Sequence, residues 1–315
     1  MVHLRVLVPG SKAEQTLRLL EERTSCVNLV YHQGAARKPA GDVILCDVAR
    51  EDASLVVDAL KDLGISSAGS ISLEELESEI SVAGDRAEEA TPGFGADAVV
   101  WEEVEESTSE EAQLSVSFLL FMTLAMLIAM VGIIGDQPVL IIGAMVVGPE
   151  FGPLAGFCVA LVEGRRGLAG RSVAALVVGF GSGMVVTLAV ALALRGTGLA
   201  PADLARRAHP LTAFISQPDF FSFFVALVAG VAGVLSLTSR KSGALVGVLI
   251  SVTTIPSAAN VGLAAAYGDG MELRGAALQL AINIVTLCAA GTATLYVQRR
   301  LFEARRRRAN AQGHS

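Results

Sequence analysis

Two hydrophobic patterns divide the 315-residue chain near residue 113. Before that point, short apolar alternations of period two take turns with apolar residues spaced three and four apart, which predicts strands and helices in a water-soluble domain. After it, weakly charged apolar runs of about 20 residues follow one another, each long enough to cross a hydrocarbon core of roughly 30 Å as a helix. The pattern therefore predicts a soluble N-terminal part and a membrane domain.

The first 80 residues predict the order βαββαβ. A turn over Gly34–Gly41 separates the second and third strands, and a short acidic helix over Glu74–Ile80 follows the fourth. This order is typical of a ferredoxin-like α+β domain with helices on one face of a sheet. We therefore predict a cytoplasmic ferredoxin-like regulatory domain over residues 1–80. Its strands are expected at His3–Val8, Cys26–His32, Asp42–Val48 and Ser66–Leu73, and its helices at Ser11–Arg23 and Ala53–Leu63.

Residues 81–113 predict an acidic connector between the two parts. After a break at Thr91–Gly95, the stretch Asp97–Glu111 carries six glutamates around a few apolar residues that can form one side of a short helix. A solvated acidic helix is the simpler interpretation, and a cation-sensing element is the alternative.

Six apolar runs predict six transmembrane helices. With six spans, the short loops on one side carry 11 of the basic residues of the membrane part and the other side carries 4. The richer side is expected to be cytoplasmic, which places both termini there, and the chain starts with no signal-peptide pattern. A basic tail over 301–315 is expected to meet anionic lipid. The predicted spans are 114–135, 139–162, 168–194, 220–239, 243–267 and 273–298.

The last three spans repeat features of the first three at a constant offset of 103 residues. The offset aligns Pro153 with Pro256 and Arg171 with Arg274. Because each unit has an odd number of spans, the second would enter the membrane upside down. We therefore predict two inverted repeats, 114–194 and 220–298, with discontinuous second and fifth helices, as in many secondary transporters.

The second span is interrupted at its centre by glycine, proline and a carboxylate. Prolines remove backbone donors and glycines loosen a helix, and a membrane tolerates this only beside protein or a water-filled cavity. Glu150 lies there, and a buried charge needs a partner, hydration or protonation. The fifth span has a similar break around Pro256. We predict a substrate or ion site formed by Gly148, Pro149, Glu150, Gly152, Pro153, Thr253, Thr254, Pro256, Asn260 and Asn283.

Each of these features also has a structural interpretation. A proline kink is common in membrane helices, a buried donor could satisfy Glu150, and Ser, Thr, Asn or Gln side chains can bond their own helix or a neighbour. In the soluble part, Gly10, Ser11 and Lys12 lie at a strand-to-helix turn, where backbone amides and the Lys12 ammonium could hold the phosphate of an effector such as a nucleotide. An ordinary βα turn has the same sequence.

Composition excludes several other classes of protein. The formal net charge is −7, with 9 basic and 23 acidic residues up to Gln113 and 15 and 8 after it, which argues against a nucleic-acid partner. Four cysteines form no CxxC pair, and the four histidines lie outside the predicted spans. We therefore predict no metal site, no cofactor and no enzymatic activity.

The motifs of the two broken spans resemble one known family. GAMVVGPEFGPLAG in the second span and TTIPSAANVGLA in the fifth are similar to the bacterial membrane proteins of domain of unknown function family 389, DUF389, over about residues 115–300. The two-part layout fits that family too. Many members have serine and an apolar residue on either side of the first proline, whereas Gly148 and Glu150 flank Pro149 here. The resemblance brings no established activity.

Together these patterns predict a homodimeric plasma-membrane transporter or channel for a small solute or ion. The cytoplasmic domain would gate it on binding a small metabolite, and Glu150 would respond to protons or cations. The alternative is a membrane-anchored ligand sensor or oligomeric scaffold that transports nothing.

Overall fold

The fold of the protein is taken from a computed structural model. It has two compact units, one formed chiefly by Met1–Val104 and the other by Glu105–Leu237 together with Lys241–Arg305. Each unit is described by itself. The structure describes residues 1–76, 80–91, 98–201, 203–204, 210–239 and 254–312, without the side chains of 305–312.

The first unit contains a four-stranded antiparallel sheet in the order β2-β3-β1-β4. Alternate residues of β1 are buried, because strand side chains point to opposite faces in turn, and helices α1 and α2 bring Leu20 and Leu60 into the same core. The predicted small sheet is thus confirmed. The elements are β1 (Val2–Val8), α1 (Gly10–Glu21), β2 (Cys26–Arg37), β3 (Ala40–Val48), α2 (Arg50–Asp62), α3 (Ile65–Ala68) and β4 (Ser70–Glu75).

Three details of the predicted sheet domain are wrong. The predicted turn over Gly34–Gly41 is largely strand, because β2 continues to Arg37 and pairs with β3 up to Ala40. The predicted helix over Glu74–Ile80 is wrong at its start, where Glu74 pairs with His3 in the sheet. The fourth strand was predicted to start at Ser66 but starts at Ser70, because Ile65–Ala68 forms the short helix α3.

Two further helices, α4 (Val82–Ala90) and α5 (Trp101–Glu111), follow the sheet. The start of α5 is fixed to α2, since the Ser54 hydroxyl accepts a hydrogen bond from the Trp101 backbone amide (3.0 Å) and donates to a Glu102 carboxylate oxygen (2.7 Å). Arg50, 6% exposed, donates from Nε to the Ala98 carbonyl (3.0 Å) and pairs with Glu75 and Glu103. One buried guanidinium therefore joins three segments of this unit.

The second unit consists of long apolar helices. Within the described residues, four helices are long and apolar enough to cross a membrane, or five if the bent pair α7 and α8 counts as one span, which identifies a membrane protein. The predicted fifth span, 243–267, is described only from Thr254. The helices are α6 (Val116–Ile134), α7 (Pro138–Val147), α8 (Phe151–Glu163), α9 (Arg166–Gly196), α10 (Phe220–Thr238), α11 (Thr254–Tyr267) and α12 (Gly270–Gln312).

The long helix α9 shows that α8 and α11 extend in opposite directions. Gly156 of α8 lies against the Ser172 hydroxyl near the start of α9, at 2.9 Å from the position a Cβ would take. Gly262 of α11 lies against α9 as well, and a Cβ on this glycine would be 2.7 Å from the Met184 carbonyl oxygen. Those two places on α9 are 12 residues apart, or about 18 Å at 1.5 Å per residue.

The helix starts are spaced regularly along the chain. α10 begins 104 residues after α6 (Phe220 and Val116), and α12 begins 104 after α9 (Gly270 and Arg166). These two spacings are one residue longer than the offset of 103 that the sequence suggested.

Replacing Arg50 should destabilise the first unit. In Arg50→Met, the Ala98 carbonyl and two glutamates lose their partner, which should lower the free energy of unfolding by about 1–3 kcal/mol. Trp101 is the single tryptophan of the chain and is 6% exposed, so its fluorescence should follow unfolding of this unit.

The matched control is Arg5→Met, since Arg5 is exposed and donates only a long bond to the Ser72 hydroxyl (3.3 Å). It should change stability by less than about 0.5 kcal/mol. Equal effects of the two substitutions would contradict the role given to Arg50.

Candidate functional site

The second predicted span is broken, as the sequence indicated. α7 ends at Val147, α8 begins at Phe151, and their axes differ by 52°. Pro149 cannot donate to the carbonyl four residues back, and Pro153 cannot do so in the first turn of α8. Backbone carbonyls at the break are therefore left without their helical donors.

The carboxylate of Glu150 lies inside this break. The residue is 3% exposed, and its Oε1 accepts a hydrogen bond from the Thr254 hydroxyl at 2.7 Å. Its Oε2 is buried and has no hydrogen-bond partner among the described residues. A carboxylate removed from water is costly unless every lone pair is satisfied, so one oxygen of Glu150 remains available for a further partner.

Gly148 provides the space that Glu150 occupies. A Cβ at this position would lie 2.5 Å from Glu150 Oε2 and 2.6 Å from Ile255 Cγ1. Both distances are shorter than any ordinary contact, so a side chain here would displace the carboxylate or Ile255. The glycine therefore lets the break, the acid and the start of α11 meet at one point.

Thr254 and Pro256 lie two residues apart in α11, as Phe151 and Pro153 do in α8. In α8 the proline stands in the first turn, where a missing amide donor costs least. Residues 254–260 are all buried. Thr253 and the predicted first half of the fifth span lie outside the described residues.

One turn and a half beyond Thr254, Asn260 forms the second polar contact of α11. It is 6% exposed, and its side-chain amide donates to Glu272 Oε2 of α12 at 3.1 Å. Between them, the Ser257 hydroxyl donates to the Ile215 carbonyl at 3.1 Å. α11 therefore carries polar side chains at every third position, all of them buried.

Asn283 is the remaining predicted site residue. It is 2% exposed on α12. Its neighbour Ile284 packs against the cluster that contains Phe151 and Leu154, so this part of α12 lies against α8. Two hydrogen bonds join the other predicted residues, from Thr254 to Glu150 and from Asn260 to Glu272.

Two cavities of this unit lie beside the predicted site residues that the structure describes. The first, called the Glu111 cavity, has a volume of about 360 Å³ and reaches the break. The second, called the Asn260 cavity, has a volume of about 70 Å³. The Glu111 cavity is lined by Glu110, Glu111, Gln113, Ser115, Phe118, Phe121, Gly148, Pro149, Phe151 and Gly152. The Asn260 cavity is lined by Ile133, Leu204, Thr212, Ala213, Ser216, Asn260, Leu263, Ala264, Tyr267, Asp269 and Glu272.

The cavities lie towards opposite ends of α6. The first touches Phe118 and Phe121 near its start and the second touches Ile133 near its end. Twelve residues separate Phe121 from Ile133, or about 18 Å along the helix. The two cavities are therefore separated by more than half the thickness of a bilayer core of roughly 30 Å.

Two acids of this region were missed as site residues. Glu111 lies against Gly152, where a Cβ would be 2.7 Å from its Oε2, and this packing removes water and raises the pKa of its carboxyl. Glu272 is the partner of Asn260. The sequence places Glu111 in a run of glutamates and Glu272 just after a loop, and neither pattern distinguishes a cavity-lining acid from a solvated one.

The structure places Gly10, Ser11 and Lys12 at the start of α1. The Lys12 ammonium donates to the carbonyls of Leu63 (2.7 Å) and Gly64 (3.3 Å) and so caps the end of α2. A Cβ on Gly10 would lie 3.8 Å from an oxygen of Asp42, and that negative charge opposes a phosphate at the same turn.

Comparison with known proteins gives a family match and no activity. The sequence model of a family described as Domain of unknown function (DUF389) matches residues 145–289, a range that includes the break and α11. The resemblance seen in the two motifs is thereby confirmed.

A relative and the solved structures were also compared. Uncharacterized protein MJ0678 of the archaeon Methanocaldococcus jannaschii is 27% identical over 189 residues, which are 60% of this chain and 56% of that protein. The chain thus spans little more than half the length of this relative, and the resemblance is not confined to bacteria. No solved structure matches.

A side chain at position 148 should disturb the site. In Gly148→Ala, the methyl group would press on Glu150 Oε2 and Ile255, which should lower stability by about 1–3 kcal/mol through overpacking. The change can be measured as the midpoint of thermal unfolding in detergent, followed by circular dichroism.

Gly143→Ala is the matched control, because a Cβ there meets nothing within 4 Å and the residue lies within α7. Alanine is the better helix former by about 1 kcal/mol, so this variant should be as stable as the parent or more so. A Gly148→Ala protein as stable as Gly143→Ala would show that the contact at Gly148 is absent.

Proposed function

Starting from the DUF389 match and the buried acid at a broken membrane helix, we propose that the protein is a membrane transporter or channel. It moves a small solute or ion through the region around Glu150. The observation that carries this proposal is the Glu111 cavity, which reaches the interrupted backbone between α7 and α8. Irregular backbone at membrane depth is otherwise tolerated only when it is buried in protein.

An inverted pair of repeats accounts for the arrangement of the helices. In this proposal, α6–α9 form one repeat, and α10, α11, α12 and the residues before Thr254 form the other. The equal offsets of the helix starts and the opposite directions of α8 and α11 along α9 support it. Six spans then result, and a site at the repeat interface is the usual place for a transported solute.

The same arrangement fixes the proposed topology. With six spans, the side richer in arginine and lysine is cytoplasmic and holds both termini, in a plasma membrane. The Glu111 cavity then opens towards the cytoplasm, and the Asn260 cavity towards the outside. The order of elements and the strand order β2-β3-β1-β4 support a ferredoxin-like N-terminal domain, for which we propose a regulatory role and, by analogy of fold, pairing with a second copy.

Flux measurements on reconstituted protein test this proposal. Liposomes with and without the protein are challenged with potassium chloride, glycerol or alanine, and the change in volume is followed by light scattering. At least one solute should equilibrate faster when the protein is present. Glu150→Gln and Asn260→Ala should slow that flux, because the first removes the charge of the buried acid and the second removes the amide that donates to Glu272.

Thr123→Ala is the control for loss of a polar group within a span. The Thr123 hydroxyl bonds the Leu119 carbonyl of its own helix (2.8 Å) and lies in neither cavity lining. This variant should transport as the parent does. If the parent protein moves none of the solutes faster than empty liposomes, a membrane-anchored sensor becomes the better interpretation.

A further inference from the structure

The free oxygen of Glu150 marks a place for a positively charged partner. It is buried, it has no partner among the described residues, and it faces Gly148, whose backbone lines the Glu111 cavity. The other oxygen already accepts from Thr254. A carboxylate oxygen in such surroundings gains most from a proton or a metal cation, since either neutralises the charge that burial penalises.

The approach from the break side is acidic. Glu110 and Glu111 line the Glu111 cavity together with uncharged residues, and Glu111 packs on Gly152, two residues from Glu150. Both acids are exposed, so they attract cations to this cavity and repel anions through solvent, an effect that salt screens.

The approach from the other side is acidic too. Asp269 and Glu272 line the Asn260 cavity, and Glu272 accepts from Asn260. Asn260, Ser257 and Thr254 are spaced three apart on α11, so polar atoms continue from this cavity to Glu150 over about 9 Å of helix.

The basic groups near the route have partners of their own. On the break side, Arg165 pairs with Glu105, and Arg171 donates to the Ser109 hydroxyl (3.1 Å). Arg195 lies close to the Asn260 cavity, but its guanidinium is held over the ring of Tyr267 (5.1 Å) and donates to the Ala266 carbonyl (2.8 Å). Among the described residues, the lining of neither cavity contains a lysine, arginine or histidine. An anion on this route would meet carboxylates at both ends and at the middle.

We propose that the permeant species is a small cation, a proton or a monovalent metal ion, that neutralises Glu150 in passing. This inference rests on the proposed function and names its substrate class. The cation enters at the Glu111 cavity, binds the free Glu150 oxygen and carbonyls released at the break, and leaves along Thr254, Ser257 and Asn260 towards Glu272, or travels in reverse. The proton and the metal ion share this chemistry, and the measurement separates them.

The test is ion selectivity of the full-length protein in lipid bilayers. A potassium chloride gradient is applied, and the reversal potential of the current shows whether potassium or chloride carries it. In parallel, liposomes that contain a pH-sensitive dye report whether the protein dissipates a pH gradient. We expect either a reversal potential of the sign set by potassium or a loss of the pH gradient without potassium current.

Glu150→Gln should reduce that flux at least about tenfold, since it removes a charge-assisted interaction of roughly 1.5–3 kcal/mol. Glu150→Asp keeps the charge and should retain measurable cation flux. Glu106→Gln, the same change at an exposed position of α5 outside both linings, should leave flux unchanged. Should Glu150→Gln fail to fold, Glu111→Gln decides, because it should slow cation flux at low salt and lose that effect at high salt.

Three results would overturn the inference. A reversal potential of the sign set by chloride, or flux of neutral solutes alone, would leave the protein a transporter but exclude a cation as its substrate. Cation flux that is unchanged in Glu150→Gln and Glu111→Gln would remove these acids from the route. Absence of any flux from folded, reconstituted protein would remove the proposed function as well.

Discussion

The burial of one carboxylate within a membrane domain is the constraint on which the rest of this structure depends. Glu150 is 3% exposed and receives a single described hydrogen bond, from Thr254. Burying an ionised carboxylate with one hydrogen-bond partner costs several kcal/mol of free energy in a membrane or a protein interior.

The features around Glu150 follow from accommodating that group. Pro149 and Pro153 interrupt the helix, Gly148 leaves room for the carboxylate, and Gly152 lets Glu111 approach the same turn. Thr254 of α11 directs its hydroxyl at the acid, and Pro256 follows two residues later, as Pro153 follows Phe151 in α8. The start of α8 lines the Glu111 cavity, whereas the later residues of α11 line the Asn260 cavity.

Much of this could be read from the sequence, because strong periodicity and proline positions report local structure directly. The order of strands and helices, the starts of α6, α9 and α10, and the break at Gly148–Gly152 all agree with the structure within a few residues. The pairing of Glu150 with Thr254 follows from neither position alone. It depends on where the second broken helix packs, which is a tertiary property.

The errors have the same origin. Glu74 lies in the edge strand β4 although the surrounding sequence is acidic. Its pairing with His3 of β1 outweighs the local preference for a helix. Glu111 and Glu272 gain their significance only from the cavities that they line. Sequence patterns identify residues that interrupt a helix or lie in the core. Packing decides which partner a long polar side chain finds.

A double-mutant cycle on Glu150 and Thr254 tests the central claim most directly. The free energies of unfolding of the parent, Glu150→Met, Thr254→Val and the double variant are compared in lipid bicelles, which isolates the interaction between the two side chains because methionine offers no comparable acceptor. A buried charge-assisted hydrogen bond predicts a coupling energy of about 1 kcal/mol or more. A coupling energy indistinguishable from zero, with all four proteins folded, would contradict the account.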